Sequence, residues 1–323
     1  MREGIGKSLV YAAAVAFCLG GAAHAQTWPV KPVRILVPFG PGGGTDIQGR
    51  LLGRKFFESM GQSFVVENRA GASGLIGAEI IARSPPDGYN ILFTTASLSV
   101  NVSLYKKIAF DPLKDLQPIS WISSVPLVLV VHPSVPVKSV KELVALTRKQ
   151  KDGLNAASNG AGTTSHLSIE MLKQFAGANL THIPYKGGGP AMLAMVSGEV
   201  DFQFATALAA QPFIKGGKIR ALAVTTLKRS GAFPELPTMA SIYPGFESDN
   251  WYAMFFPAGT PKELVAKMNA EILKALKASD IHDFIVKEGG DPVGSTPEEL
   301  AAYFKREVDK YAKIIKAGNI TAE

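Results

Sequence analysis

The chain has 323 residues, 46% of them hydrophobic and 19% charged, and a net charge of +7 at pH 7. That balance is ordinarily globular and argues against a disordered or fibrous chain. The basic excess is scattered, with no run beyond pairs such as Lys106-Lys107 and no basic stripe interleaved with aromatics, which argues against nucleic acid as a partner.

Residues 1–25 read as a cleavable signal peptide: Arg2 and Lys7 form a basic start, 8–21 is apolar, and Ala23-His24-Ala25 is a small-x-small cleavage site. The expected location is the periplasm. The apolar stretch is too short to span a bilayer comfortably, and no later segment qualifies. The single cysteine, Cys18, lies inside this segment behind the bulky Phe17, so lipid anchoring is not expected and the mature chain has no disulfide. Residues 26–323 exceed the usual size of one core and point to two domains.

From residue 33 onward, short β-branched runs alternate with amphipathic segments, the pattern of mostly parallel sheets flanked by helices. The spacing predicts a strand over 34–39, a helix over 45–60, a strand over 64–68, a helix over 74–83 and a strand over 90–95. The apolar stretch 119–132 reads as one strand crossing into a second domain. Alternation resumes there with a helix over 138–149, strand 154–157, helix 164–175, strand 181–184, helix 190–197 and strands 200–204 and 220–225. After a proline-rich loop, 251–256 reads as a return strand, and 261–277 and 297–316 as long helices docking back on the first domain. The expected division is lobe 1 over 26–123, lobe 2 over 124–245, and a return to lobe 1 over 246–323. Repeated crossing implies a hinge, with a cleft facing both lobes.

Three glycine-rich turns follow predicted strands and open predicted helices: Pro38-Phe39-Gly40-Pro41-Gly42-Gly43-Gly44-Thr45-Asp46, Ser158-Asn159-Gly160-Ala161-Gly162-Thr163-Thr164-Ser165, and Tyr185-Lys186-Gly187-Gly188-Gly189-Pro190. Each presents backbone N–H groups at a helix N-terminus, where unpaired donors and the helix dipole favour an anion. Glycine is also the least strained way to turn from strand to helix, but three such turns spread over both lobes tilt the reading toward an anion clamp. The loop from Asn68 through Ala72 and Ser73 to Gly74 is a fourth wall.

Asp46 has two readings, a helix-start carboxylate paired with Arg50, or a residue that shapes the loop or accepts a hydrogen bond from a ligand hydroxyl, amine or water. Lys186 and Arg69 could neutralise a ligand carboxylate, although surface charge is the plainer reading. Phe39 and Trp251 could wall a pocket, and Trp251 could equally pack in the core. A bulky residue at Gly43, or Thr163→Val, should weaken binding with little loss of stability.

Enzyme readings do not fit the spacings. Thr45 stands where a dinucleotide fingerprint needs glycine, no turn supplies Gly-Lys-Ser/Thr, and there is no Gly-x-Ser-x-Gly elbow. The histidines beyond residue 25, His132, His166, His182 and His282, have no partners at metal-ligand spacing. His166 begins a cleft helix, and packing or capping outweighs ligand contact there. No catalytic residue, metal or cofactor is expected.

In order along the chain, Trp28-Pro29-x-Lys31-Pro32-Val33-Arg34, Pro38-Phe39-x-Pro41-Gly42-Gly43-Gly44-Thr45-Asp46, Val66-Glu67-Asn68-Arg69-x-Gly71-Ala72-x-Gly74, Pro86-Asp87-Gly88-Tyr89, His132-Pro133, Gly160-x-Gly162-Thr163-x-x-His166-Leu167, Pro184-Tyr185-Lys186-Gly187, Gly198-Glu199-Val200-Asp201 and Pro257-Ala258-Gly259-Thr260-Pro261 resemble the solute-binding proteins of tripartite tricarboxylate transporters, the TctC-like Bug family. The resemblance implies a two-lobed periplasmic-binding-protein (Venus flytrap) fold that closes on a small carboxylate through backbone, hydroxyl and water donors. It places ligand contacts on Phe39, Gly42, Gly43, Gly44, Thr45 and Asp46, on Ala72 and Ser73, and on Asn159, Gly162, Thr163, Thr164 and Ser165. Ser97, Lys186 and Thr206 complete the expected set.

Where many members carry an acid after the strand ending at Phe204, Ala205 and Thr206 stand instead. That departure disfavours amino acids and favours a simple mono- or dicarboxylate, aromatic ones included. The implied partners are the ligand and membrane permease subunits, with the protein itself a monomer. A sensor in the membrane reading the same closure is the alternative.

Overall fold

The computed structural model describes residues 28–105 and 107–321; the signal-peptide segment and Cys18 lie outside them. Eleven strands are divided between two sheets, in the orders β11-β4-β10-β3-β1-β2 and β7-β6-β8-β5-β9.

Lobe 1 begins with β1 (Val33–Val37), α1 (Gly44–Met60), β2 (Phe64–Asn68), α2 (Leu75–Ala82), β3 (Asn90–Thr95), α3 (Ser97–Leu104), the short α4 (Pro112–Asp115) and β4 (Leu116–Val125). The pairing of β1 with β2 and β3 is parallel. Alternation along β1 sends Val33, Ile35 and Val37 to one face with Phe56 and Phe93, and Leu36 to the other with Leu92 and Phe255. Gly49 and Gly53 let α1 lie close on the sheet, since a Cβ at Gly53 would stand 2.8 Å from the Phe64 carbonyl.

The apolar stretch read as one crossing strand is two. Pro126 lacks the N–H that a continuous ladder needs, and it separates β4, in the first sheet, from β5 (Leu127–Val131), in the second. Lobe 2 continues with α5 (Val140–Lys149), β6 (Leu154–Ser158), α6 (Thr164–Ala176), β7 (Leu180–Pro184), α7 (Gly188–Ser197), β8 (Phe202–Thr206), α8 (Ala207–Lys215), β9 (Arg220–Val224) and α9 (Met239–Ile242). The pairings of β6 are parallel and those of β5 antiparallel. Each sheet is therefore mixed, its antiparallel part formed by the strands next to the lobe crossings.

The chain then returns as β10 (Asn250–Pro257), fully buried and inserted between β3 and β4, followed by α10 (Lys262–Leu276), α11 (Ser279–Lys287), β11 (Asp291–Pro292) and α12 (Pro297–Gly318). Thr296 and Glu299 form a reciprocal capping box at the start of α12, with Pro297 in its first turn. This helix also ties the lobes together, because Tyr311 and Ile315 pack with Val100 and Leu104 of α3 and Leu167 of α6. No helix among the described residues is long and apolar enough to cross a membrane.

Candidate ligand-binding cleft

The carboxyl ends of β1 and β3 in lobe 1, and of β6 and β8 in lobe 2, are each followed by a helix, after a glycine-rich loop for β1 and β6. Open α/β sheets gather ligands at such strand ends. At the start of α1 the cap residue Gly43 makes no side-chain hydrogen bond, so the first-turn N–H groups rely on partners from outside the helix. The N-termini of α3, α7 and α8 are likewise without a side-chain cap.

The loop ahead of α1 is braced. Gly42, at φ 81°, turns the chain into the helix, and its N–H donates to Asp46 Oδ2 at 3.0 Å while Asp46 Oδ1 pairs with Arg50 at 2.9 Å. Burial raises the Asp46 pKa, but Arg50, the Gly42 N–H and Asn68 outweigh it and hold the carboxyl below its usual value. The geometry joins the two readings of Asp46, since the carboxylate pairs with Arg50 at the helix start and also shapes the loop through the Gly42 N–H. Phe39, half-buried, accepts at its carbonyl from Asn68 Nδ2 and lies against Gly74, joining this loop to the next wall.

That second wall is strained. Ala72 and Ser73 sit at φ 45° and 50°, the left-handed region that L-residues with a Cβ rarely occupy. Ser73 Oγ donates across the cleft to the Ala161 carbonyl, and its own carbonyl accepts from Asn101 Nδ2 at 2.8 Å. The lobes are therefore in contact where the two loops meet. Ser97 is buried at the start of α3, with its N–H directed to Thr95 Oγ1.

In lobe 2 much of the turn before α6 is internally satisfied. Thr163 Oγ1 accepts from the His166 N–H at 3.3 Å and donates to the Gly160 carbonyl at 2.7 Å. Gly160 N donates to Ser158 Oγ and Gly162 N to His166 Nδ1. Ser165 is buried with its hydroxyl donating to the Phe204 carbonyl, and Asn159 Oδ1 accepts from Gln203 Nε2. Thr164 is buried, Thr206 half-buried at the start of α8, and Lys186 exposed.

Ser158 Oγ lies 2.6 Å from His182 Nε2, and the His182 ring stacks on His166. This is a hydroxyl–imidazole pair without catalytic form, since Ser158 is fully buried and its oxygen already accepts from Gly160. Burial first, then nearby positive charge, lowers both histidines to about 4, so both are neutral props for the turn. His166 thus packs and supports the loop. Trp251 is also a core residue, fully buried against Tyr303 and Phe304, and Arg69 is an exposed partner of Glu67.

Two side chains that the glycine motifs did not point to stand under α1. A Cβ at Gly44 would lie 2.7 Å from Tyr252 Oη and 2.9 Å from Glu288 Oε1. Tyr252 is on the central strand β10, and its hydroxyl accepts from Asn250 Nδ2 at 3.2 Å. Among the described residues no group of three or more His, Cys, Asp or Glu is placed to hold a metal ion.

The family model described as "Tripartite tricarboxylate transporter family receptor" matches residues 49–320. BugT of Bordetella pertussis is 36% identical over 295 residues, covering 90% of each chain. The R. palustris protein Rpa4515, solved with adipate, superposes with a TM-score of 0.85 at 34% identity, covering 91% of this chain and 99% of that one. MatC from Rhodopseudomonas palustris, solved with malate, gives a TM-score of 0.81 at 31% identity, covering 89% and 100%. With the family model matching most of the chain and relatives matching along nearly its whole length, this chain belongs to the TctC family of tripartite tricarboxylate transporter receptors, two-lobed solute-binding proteins that are not enzymes.

Proposed function

We infer that this protein captures a small mono- or dicarboxylate in the periplasm, aromatic ones included, and delivers it to the permease subunits of a tripartite transporter. The observation that carries the reading is the start of α1, an uncapped helix N-terminus in a braced glycine loop beside the interlobe contact. Its free donors and the positive end of the helix dipole suit a carboxylate. Relatives of the same fold hold adipate and malate, which supports the ligand class. The expected contacts are Gly42, Gly43, Gly44 and Thr45 from lobe 1, with Thr164 and Thr206 closing from lobe 2. Phe39 buttresses the loop behind them.

Closure on the ligand shifts the population toward a form that the permease recognises. The test is thermal unfolding of protein stripped of carried-over ligand by denaturation and refolding, in the presence of adipate, malate, succinate or benzoate. A ligand bound only by the native state raises the melting temperature, by an amount equivalent to about 2.7 kcal/mol at a hundredfold excess over Kd. An unchanged melting temperature with all four would sink the reading.

A further inference from the structure

Glu288 and Gly289 follow α11 and run between the first turns of two helices from opposite lobes. On one side, a Cβ at Gly44, the first residue of α1, would stand 2.9 Å from Glu288 Oε1. On the other, a Cβ at Gly289 would stand 3.1 Å from that of Ala207, the first residue of α8. Ser230 Oγ, also from lobe 2, donates to the Gly289 carbonyl at 2.9 Å. Neither helix carries a side-chain cap. Glu288 is only 2% exposed, and its buried Oε2 has no hydrogen-bonding partner. A buried carboxyl oxygen without a partner is costly unless something else satisfies it.

A carboxylate held at the first turn of α1 stands within about one helical turn, roughly 5 Å, of Glu288. Two carboxyl groups that close, away from water, resist being ionised together. We propose that Glu288 is a proton-linked specificity residue of the cleft: a carboxylate ligand binds as the anion, and one proton from solvent is taken up on Glu288. The neutral carboxyl then turns its O–H toward the ligand or a bridging water, so the site gains a donor as it gains an anion. This rests on the carboxylate reading above.

Against the first turn of α1, Glu288 is the group in the right range. Burial pushes it up to about 7. From β10 it faces Tyr252, which burial keeps protonated. The charged residues of the first two turns of α1 are Asp46 and Arg50, paired with each other. The lobe 2 side presents the uncharged Ala207, Ser230 and Ala232. Beyond Gly289 a groove is lined by Lys228, Arg229, Glu247, Asp249 and Asp291. Of these, Asp249 is also pushed up to about 7, by burial first, and is the competing source of any pH dependence.

The test is titration calorimetry with adipate, malate, succinate and benzoate, from about pH 6 to about pH 8.5, in two buffers of different ionisation enthalpy. The expected result is a Kd that weakens toward tenfold per pH unit above about 7, with uptake approaching one proton. Both effects should vanish in Glu288→Gln and persist in Asp249→Asn. Binding with a flat Kd and no proton uptake overturns the inference while leaving the carboxylate reading intact. A pH slope that survives in Glu288→Gln overturns it too, and no binding by any of the four sinks both. Should Glu288→Gln fail to fold, the infrared carbonyl band of a protonated carboxyl, appearing on ligand addition in wild type and in Asp249→Asn, decides the same question.

Discussion

At position 163 one hydroxyl closes a helix and a turn at once, accepting from the His166 N–H and donating to the Gly160 carbonyl. The sequence pattern places Thr163 at the cleft and treats it as replaceable with little loss of stability; the two bonds argue for a larger one. Thr163→Val is expected to lower the unfolding free energy by about 1 kcal/mol, in line with loss of a helix cap. Thr163→Ser should retain most of it, and urea denaturation of the pair checks both. Glycine and threonine at turns were legible because their conformational and capping roles are local. Tyr252 and Glu288 were not, because they reach Gly44 only through the central strand β10 and the end of α11, contacts no local pattern encodes. Ser165 was legible as a hydroxyl at a helix start, yet its bond to the Phe204 carbonyl depends on how α6 lies on β8.

Among elements, those with a clear period and a punctuating residue emerge close to expectation. Helix α6 starts after Gly162-Thr163, and α12 starts at Pro297 after its cap Thr296 and carries a full capping box. Helices α3, α8 and α11 had no such reading. The run Ser97-Leu98-Ser99-Val100-Asn101-Val102-Ser103 alternates like a strand, yet it is helical, with Ser99 and Asn101 fully buried and the Ser99 hydroxyl donating to the Ala96 carbonyl. In α8, Pro212 stands inside the helix, where it removes a donor and obscures the pattern. The short helical turn Ala72–Gly74 shows what tertiary contact can impose, since its two left-handed residues are held where Ser73 bridges to Ala161. A neutral hydrogen bond is worth about 0.5–1.5 kcal/mol net. Ser73→Ala should therefore shift the closed-to-open ratio of the free protein roughly two- to tenfold toward open, read as a larger radius of gyration in solution scattering or as lowered interlobe energy transfer.

At the scale of the whole molecule, the lobes differ in how they are threaded. Lobe 2 is built from a continuous stretch, β5 through α9, whereas the sheet of lobe 1 is completed only when β10 inserts between β3 and β4. A fragment covering residues 126–248 is expected to give a cooperative unfolding transition by circular dichroism. A fragment ending at residue 125 should give none, because β3 and β4 would lack the strand that joins them. The same threading sets an order in time. As the chain is synthesised from its N-terminus, β1 to β4 must wait, incompletely paired, while all of lobe 2 passes and can close on itself. Only the last quarter of the chain, bringing β10 and then α12, lets the first lobe set. The half that carries the α1 loop is thus the last to become rigid and the longest exposed to wrong partners.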